Sequence, residues 1–324
     1  MLKDSVGRHF HYLRLSITDV CNFKCNYCLP EGYKKDGKPS FLTQDEIQNV
    51  VSGFAACGVE KIRVTGGEPV VRKDLPNILS SIKQTPGIKT LALTTNGYRL
   101  PSYIPVFAQA QLDKLNISID SLDPQVFRTI TGHDRLKEIL EGLDMALASA
   151  IPSIKVNTVL MKGLNDDELG EFLAWIKHLP VTLRFIEVMQ TGDNEAFFNR
   201  HHLSGQSIKQ QLLDQGWRPV LKEREAGPAQ EFWHPDYIGR IGLIMPYSKD
   251  FCDSCNRLRV SATGKLHLCL FGEQGYDLRP WLQSPDQQPE LIEQIHLALE
   301  NKLPSHFLHQ GATGATRDLS MLGG

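Results

Sequence analysis

Between residues 10 and 190 the chain repeats one rhythm, a short apolar run followed by a longer amphipathic stretch, and few folds accommodate it. The apolar runs at 12–16, 61–64, 90–94, 114–119, 155–160 and 182–187 are rich in Leu, Ile and Val. Each ends in a turn or polar segment, as strands do. The stretches 44–56, 136–148 and 166–177 carry apolar residues at helical spacing. Thr43 followed by Glu46 reads as a capping box that starts the first of them. Strands alternating with helices imply a parallel sheet with helices outside it. Six such units are too few to close an eight-stranded barrel. The expected fold is therefore α/β, a partial (β/α)6 TIM-like barrel that stays open. Parallel-sheet enzymes gather their ligands at the carboxyl ends of the strands. Chemistry is expected in the polar residues that follow each strand.

After about residue 190 the rhythm stops, which divides the chain into a barrel region, 1–190, and a C-terminal region, 191–324. The second region opens on a polar stretch, becomes compact from Gly239, and ends in a tail of small residues closing on Gly323 and Gly324. A net charge of -2 leaves no general basic surface for a nucleic-acid backbone. An anionic ligand has to be met by a few local Arg and Lys residues. No run approaches the length of a membrane helix, and residues 1–11 are polar and charged with no apolar signal core. A cytoplasmic protein that binds neither membrane nor nucleic acid is expected.

The seven cysteines are the strongest chemical signal. Six fall into two groups of three, and Cys57, alone at the end of an amphipathic stretch, is expected to be a buried structural thiol. The odd count, the length of the chain and a reducing compartment all fit a disulfide framework poorly. Grouped thiols read instead as metal ligands.

The first group, Cys21-Asn-Phe-Lys-Cys25-Asn-Tyr-Cys28, follows the first strand with spacing C-x3-C-x2-C and no fourth cysteine nearby. Three thiolates on a four-iron cluster leave one iron open to a substrate or cofactor. A zinc site short of its fourth ligand is the competing reading. One unit later, Thr65-Gly66-Gly67-Glu68-Pro69 follows the second strand, where paired glycines allow close backbone approach to a ligand. The second group is Cys252, Cys255 and Cys269, with Asn256-Arg257-Leu258-Arg259 inside it. It reads as a second cluster beside an arginine pair suited to phosphate. A Cys3His zinc site completed by His267 stays open as an alternative.

The first cysteine loop, with Tyr27 before its last thiol, and the Gly-Gly-Glu-Pro turn resemble the radical S-adenosylmethionine superfamily. The run from Gly239 through Cys252, Cys255 and Arg257-Leu258-Arg259 to Phe271, and the closing Gly323-Gly324, resemble the molybdenum cofactor biosynthesis protein A family. That likeness extends from about residue 8 to 324.

The resemblance implies two [4Fe–4S] clusters, one on Cys21, Cys25 and Cys28 and one on Cys252, Cys255 and Cys269. It implies an S-adenosylmethionine site lined by Tyr27, Gly67, Ser118 and Met189. Arg14, Arg63, Thr94, Lys155, Arg257, Leu258 and Arg259 would face GTP, with Arg257, Arg259, Gly323 and Gly324 serving catalysis. The implied reaction is that of a GTP 3′,8-cyclase: a deoxyadenosyl radical takes the ribose 3′ hydrogen and the sugar radical adds to C8 of guanine. An electron donor and a downstream cyclic pyranopterin monophosphate synthase are the implied partners of a monomer or homodimer. Two rivals remain: a radical enzyme that modifies peptides, and a zinc-bearing nucleic-acid module.

Overall fold

The computed structural model describes residues 1–34, 40–221, 226–273, 275–314, 316 and 319–322. Gly323 and Gly324 lie outside the described residues. The six expected strands form as β1 (Tyr12–Ser16), β2 (Lys61–Thr65), β3 (Thr90–Thr95), β4 (Lys114–Ser118), β5 (Ser153–Leu160) and β6 (Thr182–Glu187). They pair in parallel, in sequence order. Five helices lie between them: α1 (Gln44–Ala56), α2 (Leu75–Gln84), α3 (Leu100–Gln109), α4 (Pro124–Thr131) and α5 (Leu136–Leu147). A sixth, α6 (Leu169–Ile176), is shorter than the expected 166–177. Its approach is taken up by turns, in which the Met161 N–H donates to Asn165 Oδ1 at 2.8 Å and the Gly163 N–H to Asp166 Oδ1 at 2.7 Å.

The sheet does not end where the rhythm ends. After α7 (Glu195–His201), α8 (Gly205–Asp214), β7 (Arg218–Pro219) and β8 (Gln230–Trp233), strand β9 (Arg240–Ile244) adds in parallel to β6. Strand β10 (Arg257–Val260) adds in parallel to β1, at the opposite edge. Strands β11 (Lys265–His267) and β12 (Tyr276–Asp277) follow β10 antiparallel, and α9 (Gln288–Leu299) comes last among the helices. The six-strand barrel is thus extended by one parallel strand on each side. Sequence rhythm misses both because β7 and β8 stand between α8 and β9 and no helix precedes β10.

The connection from β9 to β10, residues 245–256, decides the curvature. It runs from one edge of the sheet to the other. It is wound into successive turns, with the Ser248 N–H on Met245 O, Phe251 on Ser248 O and Cys255 on Cys252 O. Eight flat parallel strands would be roughly 34 Å across at the usual strand spacing. A linker folded into turns does not reach that far, so the sheet must curl until its edges approach. The second cysteine group sits in the linker that closes this gap.

Side chains alternate across the sheet as the pleat requires. One face carries Leu13, Leu15, Ile62, Val64, Leu91, Leu93, Leu115, Ile117, Leu183 and Phe185, all buried beneath the helices. The other face carries Tyr12, Arg14, Lys61, Arg63, Asn116, Lys155 and Arg184 and lines the lumen. The apolar core lies between sheet and helices, not inside the barrel.

One polar clamp fastens the C-terminal region to α1. Thr43 and Glu46 form the expected capping box, with the Thr43 N–H on Glu46 Oε2 at 2.8 Å. Arg279 also grips Glu46, through Nε to Oε1 at 2.8 Å and Nη2 to Oε2 at 3.1 Å. Burial pushes the Glu46 carboxylate up, but the bonds from Arg279, the Thr43 N–H and Gln283 outweigh it and bring its pKa to about 2. A depressed carboxylate stabilises the fold above its unfolded pKa of about 4.3 and loses that contribution as pH falls toward its folded value. The expected outcome for Glu46→Gln in metal-free protein is a loss of about 2 kcal/mol at neutral pH. Urea midpoints compared with wild type should converge as the pH is lowered toward about 2.

Candidate active site

The first cysteine loop leaves the carboxyl end of β1. Cys21, Cys25 and Cys28 form no disulfide and are half-buried, and the loop is tied down by the Lys24 N–H to Thr131 O and the Asn26 N–H to Ile130 O, both 3.0 Å. Burial pushes the Cys25 thiol well up, and the neighbouring Asp120, Cys28 and Cys21 push it further. Three thiolates that repel one another need a cation between them, which is the donor set of a metal cluster. Tyr27 donates its hydroxyl to Asp120 Oδ2 at 2.9 Å, and burial raises the Asp120 carboxyl to about 6.

The Gly-Gly-Glu-Pro turn is stitched to the segment just before the cysteines. The Gly67 N–H donates to Thr18 O at 2.7 Å and the Glu68 N–H to Val20 O at 2.8 Å. A Cβ on Gly67 would sit 2.3 Å from Val20 O, so no other residue fits there. Ser118 ends β4, half-buried, opposite Asn157 in the register.

A cavity of about 630 Å3 runs through the lumen. Its walls carry Arg14, Arg63, Lys155, Met189, Arg257 and Arg259 from the expected set, together with Cys252, Cys255 and Cys269. Thr94 stands beside this wall, its hydroxyl accepting from Arg63 Nη1 at 3.2 Å. Leu258 turns the other way and is buried in the core, so it can offer a ligand only its main chain. Sequence reading missed Tyr12, Lys61, Lys114, Arg184 and Arg240, which line the same cavity. Among the described residues, nine Lys and Arg side chains face the lumen against one carboxylate, Glu231, which Lys155 holds at 2.5 Å. Burial, then the Arg63 charge, brings Arg184 down to about 10, and burial brings Lys61 down to about 8. Nε and Nη2 of Arg184 and Nη1 of Arg259 have no protein partner.

The register sets the two cysteine groups at opposite ends of this lumen. Arg257 pairs with Tyr12 at the amino end of β1, and Cys255 lies two residues before it. Cys269 lies two residues beyond His267, which pairs with Arg259 on the way back toward that end. The two groups therefore stand one toward each end. Burial pushes the Cys255 thiol up, but Arg257, Lys302 and Arg8 outweigh it and lower its pKa. His267 feels Arg259 and Lys265 rather than the thiols, and burial with those charges lowers it to about 4. Among the described residues, no three Cys, His, Asp or Glu side chains close around a point as a single zinc ion requires. Cys57 is buried, as expected.

Tyr12 is the unexpected titratable group. It accepts a hydrogen bond from Arg63 Nε at 2.6 Å, and Lys61 Nζ lies 4.4 Å from its ring centre. Burial pushes the phenol up, but the charges of Arg63, Arg14 and Lys61 outweigh it and bring its pKa to about 7. Burial moves Tyr27 and Tyr247 the other way. Spectrophotometric titration of metal-free protein should therefore show one phenolate forming near pH 7, absent in Tyr12→Phe.

Known proteins carry the same features. Residues 15–176 match the radical SAM superfamily and residues 181–308 match Molybdenum Cofactor Synthesis C. A GTP 3′,8-cyclase of Yersinia pestis is 56% identical, with 100% of this chain and 99% of that protein covered. One from Vibrio cholerae is 57% identical over 99% of this chain and 97% of its own length. Among solved structures, Streptococcus suis SuiB bound to S-adenosylmethionine matches with a TM-score of 0.63 at 11% identity, over 91% of this chain and 68% of that one. Native anSMEcpe with bound AdoMet matches with a TM-score of 0.58 at 12% identity, over 87% and 83%. The structural likenesses show the fold; the sequence matches establish that this chain belongs to the GTP 3′,8-cyclase family of the radical SAM superfamily.

Proposed function

We propose that the chain is a radical SAM enzyme that cyclises GTP between ribose C3′ and guanine C8 in molybdenum cofactor biosynthesis. The observation that carries this reading is the cationic lumen with a cysteine trio at each end. A nucleoside triphosphate is the right length and charge to lie along it. Cys21, Cys25 and Cys28 would hold a [4Fe–4S] cluster, with Tyr27, Gly67, Ser118 and Met189 around S-adenosylmethionine. Cys252, Cys255 and Cys269 would hold a second cluster, whose negative charge Lys302 and Arg8 offset. Lys302 is buried and donates to the Leu268 carbonyl next to Cys269. A cluster held by Cys21, Cys25 and Cys28 would supply the reducing electron for cleavage of S-adenosylmethionine and so the oxidising power needed at the ribose 3′ carbon–hydrogen bond.

The chain's own residues do the rest. Arg14, Arg63, Lys155 and Arg184 meet the triphosphate, steadied by Thr94 on Arg63. Phe251, Phe271 and Leu270 give the second-trio end of the cavity an apolar lining for a purine, and Arg257 and Arg259 bridge base and phosphates. Fixed cations orient the ribose toward the radical end without reorganising during reaction. Cys28, Met189 and Cys269 pack against one apolar patch of Leu270, Phe271, Leu308, Leu319 and Leu322, which keeps water from the space between the ends. The tail is anchored to that patch, with Thr316 donating to Leu270 O at 2.6 Å. Residues 1–190 would thus form the radical SAM barrel and supply the cations that meet the triphosphate, and residues 191–324 the second cluster and the rest of the GTP site, with an electron donor and a downstream cyclic pyranopterin monophosphate synthase as partners.

The test is anaerobic turnover with GTP, S-adenosylmethionine and a strong reductant, followed by mass spectrometry. Deoxyadenosine and an isomer of GTP should appear together. Untouched GTP beside free deoxyadenosine would sink the substrate assignment. Replacing Arg257 and Arg259 together with Ala should cut the GTP product by about 100-fold while iron content is kept.

A further inference from the structure

The turn after β3 holds a polar network that the chemistry above leaves unused. Glu68 is fully buried, and its carboxylate accepts three bonds: from the Thr95 hydroxyl at 2.7 Å, the Asn96 N–H at 2.6 Å and the Val70 N–H at 3.0 Å. Its own N–H is fixed on Val20 O, one residue before Cys21. The carboxylate therefore clamps the turn of Thr95 and Asn96 against the first cysteine loop.

The clamp also aims the Asn96 side chain. The Tyr98 N–H donates to Asn96 Oδ1 at 2.9 Å, which settles the orientation of the amide and turns its NH2 group the other way. That group donates to Asn22 Oδ1 at 3.0 Å and reaches Cys21 Sγ at 3.9 Å. It supplies a neutral side-chain donor to a thiol that the Phe23 and Asn22 N–H groups also serve and that the Glu68 charge disfavours as thiolate.

We propose that Asn96 is a positioning residue for the first cluster, its amide N–H donating to the Cys21 sulfur and raising the reduction potential of the cluster held there. The proposal rests on the reading of Cys21, Cys25 and Cys28 as cluster ligands. A hydrogen bond to a ligating sulfur favours the more negative state, so it stabilises the reduced cluster more than the oxidised one. Outer partners of metal ligands act in this way while leaving the ligands themselves in place. A donor also makes the cluster easier to charge with an electron from a weak reductant.

The experiment uses anaerobic holoenzyme with both clusters assembled. Asn96→Leu removes the donor at similar volume. Asn96→Asp removes it while keeping the acceptor that Tyr98 needs. Redox titration followed by electron paramagnetic resonance, with and without S-adenosylmethionine, identifies the first cluster as the one whose signal responds. Both variants should keep their iron, and the responding midpoint should move to more negative potential while the other stays. S-adenosylmethionine cleavage driven by dithionite should fall about tenfold and recover with titanium(III) citrate, a stronger reductant. A scaffold role would not produce that split between reductants. An unmoved midpoint, or loss of the responding cluster's iron from both variants, overturns the proposal. Absence of any responding cluster in the wild-type protein overturns the reading of the first trio and the proposal with it.

Discussion

Repulsion among the cations of the lumen is the constraint around which the molecule is arranged. Arg14, Lys61, Arg63, Lys114, Lys155, Arg184, Arg240, Arg257 and Arg259 face a common space with Glu231 as the carboxylate among them. Their mutual push shows in the groups themselves: burial and the neighbouring Arg259 carry Arg14 well below its ordinary value, and burial with Arg257 brings Arg259 to about 10. A barrel with this interior cannot be held by its interior. It is held from outside, by an apolar layer in which Leu13, Ile62, Leu91, Leu115 and Leu183 are all fully buried beneath helices. Tyr12 is the internal counterweight, a phenol that becomes an anion where the cations crowd. A polyanionic ligand relieves the same repulsion, so binding and stability draw on one set of crowded cations.

The two cysteine trios sit in opposite fields. Around the first stand Glu68 and Asp120, whose carboxyl groups burial raises to about 7 and 6. Around the second stand Arg257, Lys302 and Arg8. Net charge is one of the levers that sets a cluster's potential. Environments this different give the ends of the lumen different electronic character even with identical ligands. In the proposed reading, an electron would leave for a cationic sulfonium at the acidic end and an anionic substrate would be fixed at the basic end.

Much of this was legible in the sequence. The six strands fall within two residues of their expected bounds because each is a β-branched and leucine-rich run closed by a polar turn. The capping box at Thr43 and Glu46 was legible because its two partners are three residues apart. Both cysteine groups were legible because ligand spacing is local. What stayed hidden was non-local. Two short strands stand between α8 and β9, and no helix precedes β10, so no strand–helix rhythm announces either. The opposite placement of the trios depends on which sheet edge each joins. Tyr12, Lys61, Lys114 and Arg184 did carry a signal, since Tyr12/Arg14, Lys61/Arg63 and Lys114/Asn116 place polar residues at every second position of strands expected to be buried on both faces. Read as a period of two, that pattern marks a wet, charged lumen.

The linker between β9 and β10 ties fold to site. It is the segment whose short reach curls the sheet, and it carries Cys252 and Cys255. Arg8 bonds to Cys252 O at 3.1 Å and to the carbonyls of Leu303 and Pro304, which fastens this linker to the N-terminal segment and to the stretch after α9. A metal group bound there would therefore cross-link the two edges of the barrel as well as face the substrate. Without such a group the linker would be held by Arg8 and its own turns, and the register of Arg257 and Arg259 against Tyr12 and Arg14 would rest on the strand pairing. Substrate charge recognition at the second end is in this way a consequence of barrel closure and not a separate feature laid over it.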